Sequence, residues 1–138
     1  MNQKMDNNFT IVTEHPTPQE LLLMLFDLAP GFRSTWDSDN NPFVESDGSC
    51  TIHGIFAEFS HFVRDHLSEI GELARKELFQ AIEKLLKTNQ NFSGGVSNAV
   101  RTCFLENLAG EGELSDTIRP YLRPESRKFF DEWNAINS

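Results

Sequence analysis

The chain has few basic residues, few cysteines and no long apolar run. Its 138 residues contain 12 Lys and Arg against 21 Asp and Glu, a formal net charge of −9. This excess of acids disfavours nucleic-acid binding, because phosphates bind to clusters of Lys and Arg. The longest apolar run is Leu21 to Phe26, far short of the roughly 20 residues of a membrane span. The two cysteines, Cys50 and Cys103, are far apart in sequence and are expected to be free thiols.

The sequence also lacks an apolar stretch at its N-terminus and any strong catalytic motif. Without the first, no signal peptide is predicted, and we expect a cytoplasmic protein. Neither Gly-x-Ser-x-Gly nor His-Glu-x-x-His occurs, and the turn at Ser93-Gly94-Gly95 lacks the lysine of a phosphate-binding loop. We therefore expect a protein that is not an enzyme and needs no cofactor.

What the chain does have is acid, concentrated near its start. Residues 1–50 hold eight Asp and Glu against Lys4 and Arg33, which gives −6 of the total −9. The remaining 88 residues hold thirteen acids and ten bases and are nearly balanced. An acidic, irregular segment on a balanced body favours a surface for a basic partner over a catalytic pocket.

Apolar residues at three- and four-residue spacing predict an all-α fold. The first helix begins at a capping box, Thr17-Pro18-Gln19-Glu20, and ends at Pro30-Gly31. Further helices are predicted at about 52–66, from Ser68, from Ser93, through 114–121, and from Pro124. We expect a single-domain bundle of five to six helices over residues 1–138, with residues 1–13 as a loosely ordered lead-in.

The long acidic loop after the first helix, residues 31–50, is predicted to be irregular, with short strand-like pieces at 42–44 and 49–51. The helix that starts at Ser68 carries an apolar stripe that includes Leu73. Its opposite face places Glu72 and Lys76, and Glu83 and Lys87, at the four-residue spacing of ion pairs.

The acidic loop contains the candidate partner-binding residues. Four acids are predicted to steer a partner towards the loop: Asp37, Asp39, Glu45 and Asp47. Two aromatic residues among them, Trp36 and Phe43, are predicted to make the apolar contact. Two alternatives stay open. The acids are merely solvated, or the aromatic side chains fold back and close the core.

A helical metal-binding protein or enzyme that uses Glu58, His61 and Asp65 is the main alternative to a binding surface. Glu58 and His61 form a Glu-x-x-His step, and Asp65 lies four residues further on; a single such step on a polar helix face is better explained as a solvated stripe. The Asp37 to Asn41 run resembles the start of a calcium loop, but Pro42 and Gly48 occupy the positions of the required Gly and Glu. No metal is therefore predicted.

Three segments carry a resemblance to a known group of proteins: residues 53–60, 103–108 and 121–130. Over about residues 17 to 135, the chain resembles small acidic helical bacterial proteins encoded beside polymorphic or contact-dependent toxins. The resemblance implies an immunity protein that binds and neutralises one cognate toxin domain, without catalysis. Many such toxins are nucleases with basic clefts, which would attract a chain of this charge. A helical adaptor, or a homodimer formed through the first helix, remains an alternative, and the oligomeric state is left open.

Overall fold

The computed structural model describes residues 16–87 and 95–137. Within these ranges the chain is all-helical and contains no strand. Seven helices follow one another there: α1 Pro18–Leu28, α2 Phe32–Trp36, α3 Ile52–His66, α4 Glu72–Lys87, α5 across residues 96–109, α6 Glu113–Ile118 and α7 Pro124–Asn137. Short 3-10 turns at Leu67–Glu69 and Arg119–Tyr121 precede α4 and α7. The predicted single-domain helical bundle is confirmed, although it has seven helices in the described residues instead of the five to six expected. The prediction of strand-like pieces at 42–44 and 49–51 is wrong, because no strand forms there.

The predicted capping box forms at the start of α1. The Glu20 N–H donates to Thr17 Oγ1 at 3.1 Å, and the Thr17 N–H donates to Glu20 Oε1 at 2.9 Å. Helix α3 begins in a similar way, because Thr51 Oγ1 accepts the Gly54 N–H at 2.9 Å. Both helices therefore start where their own residues satisfy exposed backbone donors.

Helix α7 is capped by a side chain from another helix. Glu83 of α4 is only 8% exposed, and its Oε2 and Oε1 accept the N–H groups of Glu125 and Ser126 at 2.8 and 3.0 Å. The predicted pairing of Glu83 with Lys87 is therefore wrong. The buried carboxylate interacts favourably with the positive end of the α7 dipole, and its hydrogen bonds connect α7 to α4.

Two further details of α4 differ from the prediction. The helix begins at Glu72 rather than near Ser68, which lies in the preceding 3-10 turn. Leu73, assigned to the apolar stripe, is 71% exposed. The predicted pair of Glu72 and Lys76 does form, at 3.7 Å.

Phenylalanine rings connect the helices through the core. Among the described residues, six phenylalanine side chains are fully buried: Phe32, Phe56, Phe59, Phe79, Phe104 and Phe130. The ring centroid of Phe59 lies 4.8 Å from that of Phe32 and 5.5 Å from that of Phe104, and Phe104 lies 6.3 Å from Phe79. These contacts join α2, α3, α5 and α4. Helix α2 lies within residues 31–50, so the prediction of an entirely irregular segment there is wrong for Phe32–Trp36.

Helix α5 changes its hydrogen-bond pattern halfway. It is α-helical at Val96–Ala99, a π-helix at Val100–Leu105, and α-helical again at Glu106–Ala109. Thr102 Oγ1 donates to the Asn98 carbonyl at 2.9 Å, and Asn107 Nδ2 donates to the Cys103 carbonyl at 2.7 Å. These side chains provide donors to carbonyls within and beside the irregular turn. The predicted cap at Ser93 and the lead-in at 1–13 lie outside the described residues.

Candidate partner-binding surface

Trp36 closes the core beneath the acidic loop. In the structure this loop spans residues 37–50, because α2 occupies Phe32–Trp36. Its side chain is 7% exposed, and its ring centroid lies 6.1 Å from that of Phe32. The Trp36 side chain therefore folds back into the core, as the second alternative from the sequence proposed. Its ring does not form an exposed anchor. Its backbone helps to position the loop, because Asn41 Nδ2 donates to the Trp36 carbonyl at 2.8 Å.

Phe43 attaches the middle of the acidic loop to α3. It is half-buried and packs on Gly54, where an added Cβ would lie 3.2 Å from Phe43 Cβ. The missing side chain of Gly54 therefore makes room for the ring. Phe43 also lies near His61, with ring centroids 6.3 Å apart, and its N–H donates to Asn41 Oδ1 at 2.9 Å.

A tight turn orders the end of the loop. The Gly48 N–H donates to the Glu45 carbonyl at 2.8 Å, and the Glu45 N–H donates to the Ser49 carbonyl at 2.9 Å. Gly48 has φ of 87°, which favours glycine. Asp47 Oδ1 accepts the Ser49 hydroxyl at 2.7 Å and the Ser49 N–H at 2.9 Å. These hydrogen bonds from Ser49 lower the pKa of the Asp47 carboxyl.

The four predicted steering acids all face solvent. Asp37, Asp39, Glu45 and Asp47 are exposed, and no Lys, Arg or His in the described parts of the chain forms an ion pair with them. The loop thus presents four uncompensated carboxylates on a backbone held by its own hydrogen bonds. Such a surface attracts a positively charged molecule over a distance set by ionic strength.

One apolar residue of the loop was missed by sequence reasoning. Val44 is 36% exposed and lies between half-buried Phe43 and exposed Glu45. Little in the sequence indicates that Val44 is exposed. A single valine in an irregular segment belongs to no periodic pattern that would show which way its side chain points. With Trp36 buried, the apolar contacts that the loop offers come from Pro42, Val44 and the exposed part of Phe43.

The residues of the alternative metal site do not converge. His61 Nδ1 lies 3.2 Å from Glu58 Oε1, but the Asp65 carboxylate is occupied by Arg64, whose Nε and Nη2 donate at 2.8 and 3.1 Å. These hydrogen bonds from Arg64 lower the pKa of Asp65. Residues 16–87 and 95–137 contain no group of three His, Cys, Asp or Glu side chains arranged to hold a metal ion.

Both cysteines are free thiols and half-buried. Burial raises the pKa of the Cys50 thiol, which lowers the thiolate fraction and with it the reactivity.

The architecture and the surface define the class of the protein: an all-α single-domain protein with an ordered, exposed acidic loop. The chain belongs to the family described as a domain of unknown function (DUF7674), which matches residues 23–137. The matched part includes the whole acidic loop and helices α2 to α7. Comparison with curated proteins and with solved structures gives no significant match. None of the helices in the described residues is long and apolar enough to cross a bilayer.

Proposed function

We propose that this protein is a non-catalytic immunity protein, which binds and neutralises a positively charged bacterial toxin domain through its acidic loop. The observation that carries the proposal is the loop itself, with Asp37, Asp39, Glu45 and Asp47 exposed and unpaired with described basic residues. The resemblance to proteins encoded beside toxins supplies the partner class, and a nuclease-type toxin, with a basic cleft, has the complementary charge.

The order of the loop supports a binding role. Association costs entropy when a segment must become fixed at the interface. Here Asn41, Phe43 and Asp47 already fix the loop through hydrogen bonds within it and packing on α3. A partner would therefore meet a surface that is largely formed before binding.

The charge of the loop affects mainly the rate of encounter. Complementary fields raise association rates about 10- to 1,000-fold at low salt, whereas exposed charges add little to the final affinity. Affinity then has to come from apolar contacts, for which Val44 and Phe43 are the candidates in the loop. A stable interface requires about 1,600 Å² in total, so the exposed face of α3 near His61 is expected to contribute.

A titration with the candidate toxin domain encoded beside the gene tests the proposal. We expect a one-to-one complex by isothermal titration calorimetry, and protection of cells that co-express both chains. Changing Val44 to Asp should weaken the complex by at least tenfold, because it places a carboxylate at the apolar centre of the interface. The same change at Leu73, an apolar residue of α4 that is 71% exposed, is the control. The absence of a toxin gene beside this one, or of any binding to its product, would contradict the proposal.

Self-association through α1 is the second candidate, favoured by one observation. Leu23 is 60% exposed on a helix whose neighbours Leu22 and Met24 are buried. An adaptor or homodimer would use this residue for contact with another chain. Light scattering should then give the mass of a dimer, and Leu23→Glu should give the mass of a monomer without loss of helicity. A monomeric mass for the unaltered chain rejects this candidate.

A further inference from the structure

A second surface, built from different elements, has the opposite charge to the acidic loop. A groove of about 380 Å³ lies between α4, the end of α6 and the segment that joins α6 to α7. Its volume is at the lower end of the range of small-molecule sites, about 300–1,000 Å³. Five of its lining residues have donors that can face the groove: Arg75, Lys76, Gln80, Tyr121 and Arg123. The Thr117 hydroxyl already donates to the Glu113 carbonyl at 3.0 Å.

Arg75 is held rigidly at the edge of this groove. Its Nε donates to the Ile70 carbonyl at 2.8 Å and its Nη2 to the Leu67 carbonyl at 2.9 Å. Its Nη1 lies 3.4 Å from Tyr121 Oη, and its guanidinium carbon lies 5.7 Å from the centre of that ring. All of these partners are neutral. The guanidinium is therefore fixed in place while its charge is left uncompensated, and it retains N–H groups beyond the three that these bonds use.

The groove as a whole is positive in a chain of net charge −9. Neither Arg75 nor Arg123 forms an ion pair with a carboxylate of residues 16–87 or 95–137. Lys76 contacts Glu72 at 3.7 Å, but both side chains are exposed, so solvent screens the pair and it is weak. Three cations thus face one acid, although acids outnumber bases elsewhere in the chain.

We propose that this groove binds a small oxyanion, a phosphate or carboxylate compound. A fixed guanidinium donates to two oxygens of such a group at once, and a nearby lysine adds a mobile point charge. Tyr121 Oη and Gln80 add uncharged donors beside these cations. The proposal does not depend on the function assigned to the acidic loop.

The test is a titration of the full chain with inorganic pyrophosphate and, separately, with citrate, in a chloride buffer. Backbone amide shifts in NMR spectra report the site, and calorimetry reports the affinity. We expect saturable shifts at Lys76, Gln80 and Arg123 with at least one of the two anions. The anion that binds more tightly distinguishes a phosphate site from a carboxylate site.

Three variants separate a specific site from a general effect of charge. Arg123→Gln and Lys76→Gln should each weaken binding by about tenfold, the usual loss for one charge-assisted hydrogen bond. Lys87→Gln removes the same charge about 16 Å further along α4 and should leave binding unchanged. Arg75 is left intact because it also bonds two backbone carbonyls. No saturable binding of either anion, or equal weakening by all three variants, would overturn the proposal.

Discussion

The buried carboxylate of Glu83 makes a strong and testable contribution to the fold. It accepts two backbone N–H groups at the start of α7, and hydrogen bonds to a charged acceptor contribute about 1.5–3 kcal/mol each. A carboxylate at a helix N-terminus adds up to ~2 kcal/mol, while the cost of burying a charge offsets part of the sum. We therefore expect Glu83→Ala to lower the free energy of unfolding by about 3 kcal/mol.

Urea unfolding followed by circular dichroism measures this loss. For a chain of this length, each kcal/mol corresponds to about 4 °C in Tm, so Glu83→Ala should melt about 12 °C lower. Glu83→Gln, which keeps one acceptor oxygen, should lose roughly half as much. The control is Glu77→Ala, an exposed acid of the same helix, which should change stability by less than about 0.5 kcal/mol. If Glu83→Ala and Glu77→Ala unfold at the same urea concentration, our account of how α7 begins is wrong.

Two further predictions concern the order of the acidic loop. Gly54→Ala should lower the free energy of unfolding by about 1–2 kcal/mol and speed amide hydrogen exchange around Phe43, because the new Cβ meets that side chain at 3.2 Å. The control is Gly71→Ala, where a Cβ meets nothing within 4 Å. Equal stability of the two variants would refute the packing argument. The Asp47 carboxyl should titrate below the ordinary aspartate pKa in carbon-detected NMR, and Ser49→Ala should raise that pKa. Since the folded pKa is lowered, the contribution of Asp47 to stability is present above the unfolded pKa and is lost as pH falls through the folded one; an unchanged pKa in Ser49→Ala would remove the stated cause.

The strongly periodic parts of the fold could be predicted from sequence. The capping box at Thr17 and the apolar spacing of Ile55, Phe59 and Phe62 depend on neighbours along the chain, so they are visible in one sequence. The contact of Glu83 with α7 could not be seen, because its partners lie more than forty residues away. The four-residue spacing suggested Lys87 as the partner of Glu83. In the structure Glu83 instead makes the buried contact with the start of α7.

The candidate surface was predictable in its charge but not in its shape. The exposed positions of Asp37, Asp39 and Glu45 follow from composition, because unpaired carboxylates stay in water. The direction of Trp36 could not be derived, since it depends on the short helix α2 and on contact with Phe32. The positive groove was also hidden, because its cations come from segments that are separate in sequence and meet only after folding.

If the acidic loop steers a positively charged partner, the rate of association with that partner is the property that the four loop acids should change most directly. Stopped-flow fluorescence with the candidate toxin domain should be run at several salt concentrations for the unaltered chain and for a variant with all four loop acids neutralised: Asp37→Asn, Asp39→Asn, Glu45→Gln and Asp47→Asn. A control variant neutralises four exposed acids elsewhere: Glu77, Glu113, Asp116 and Glu132. We predict that the loop variant associates at least about tenfold more slowly at low salt and loses most of its salt dependence, while the control keeps both. Equal rates and equal salt dependence for the two variants would contradict this steering role.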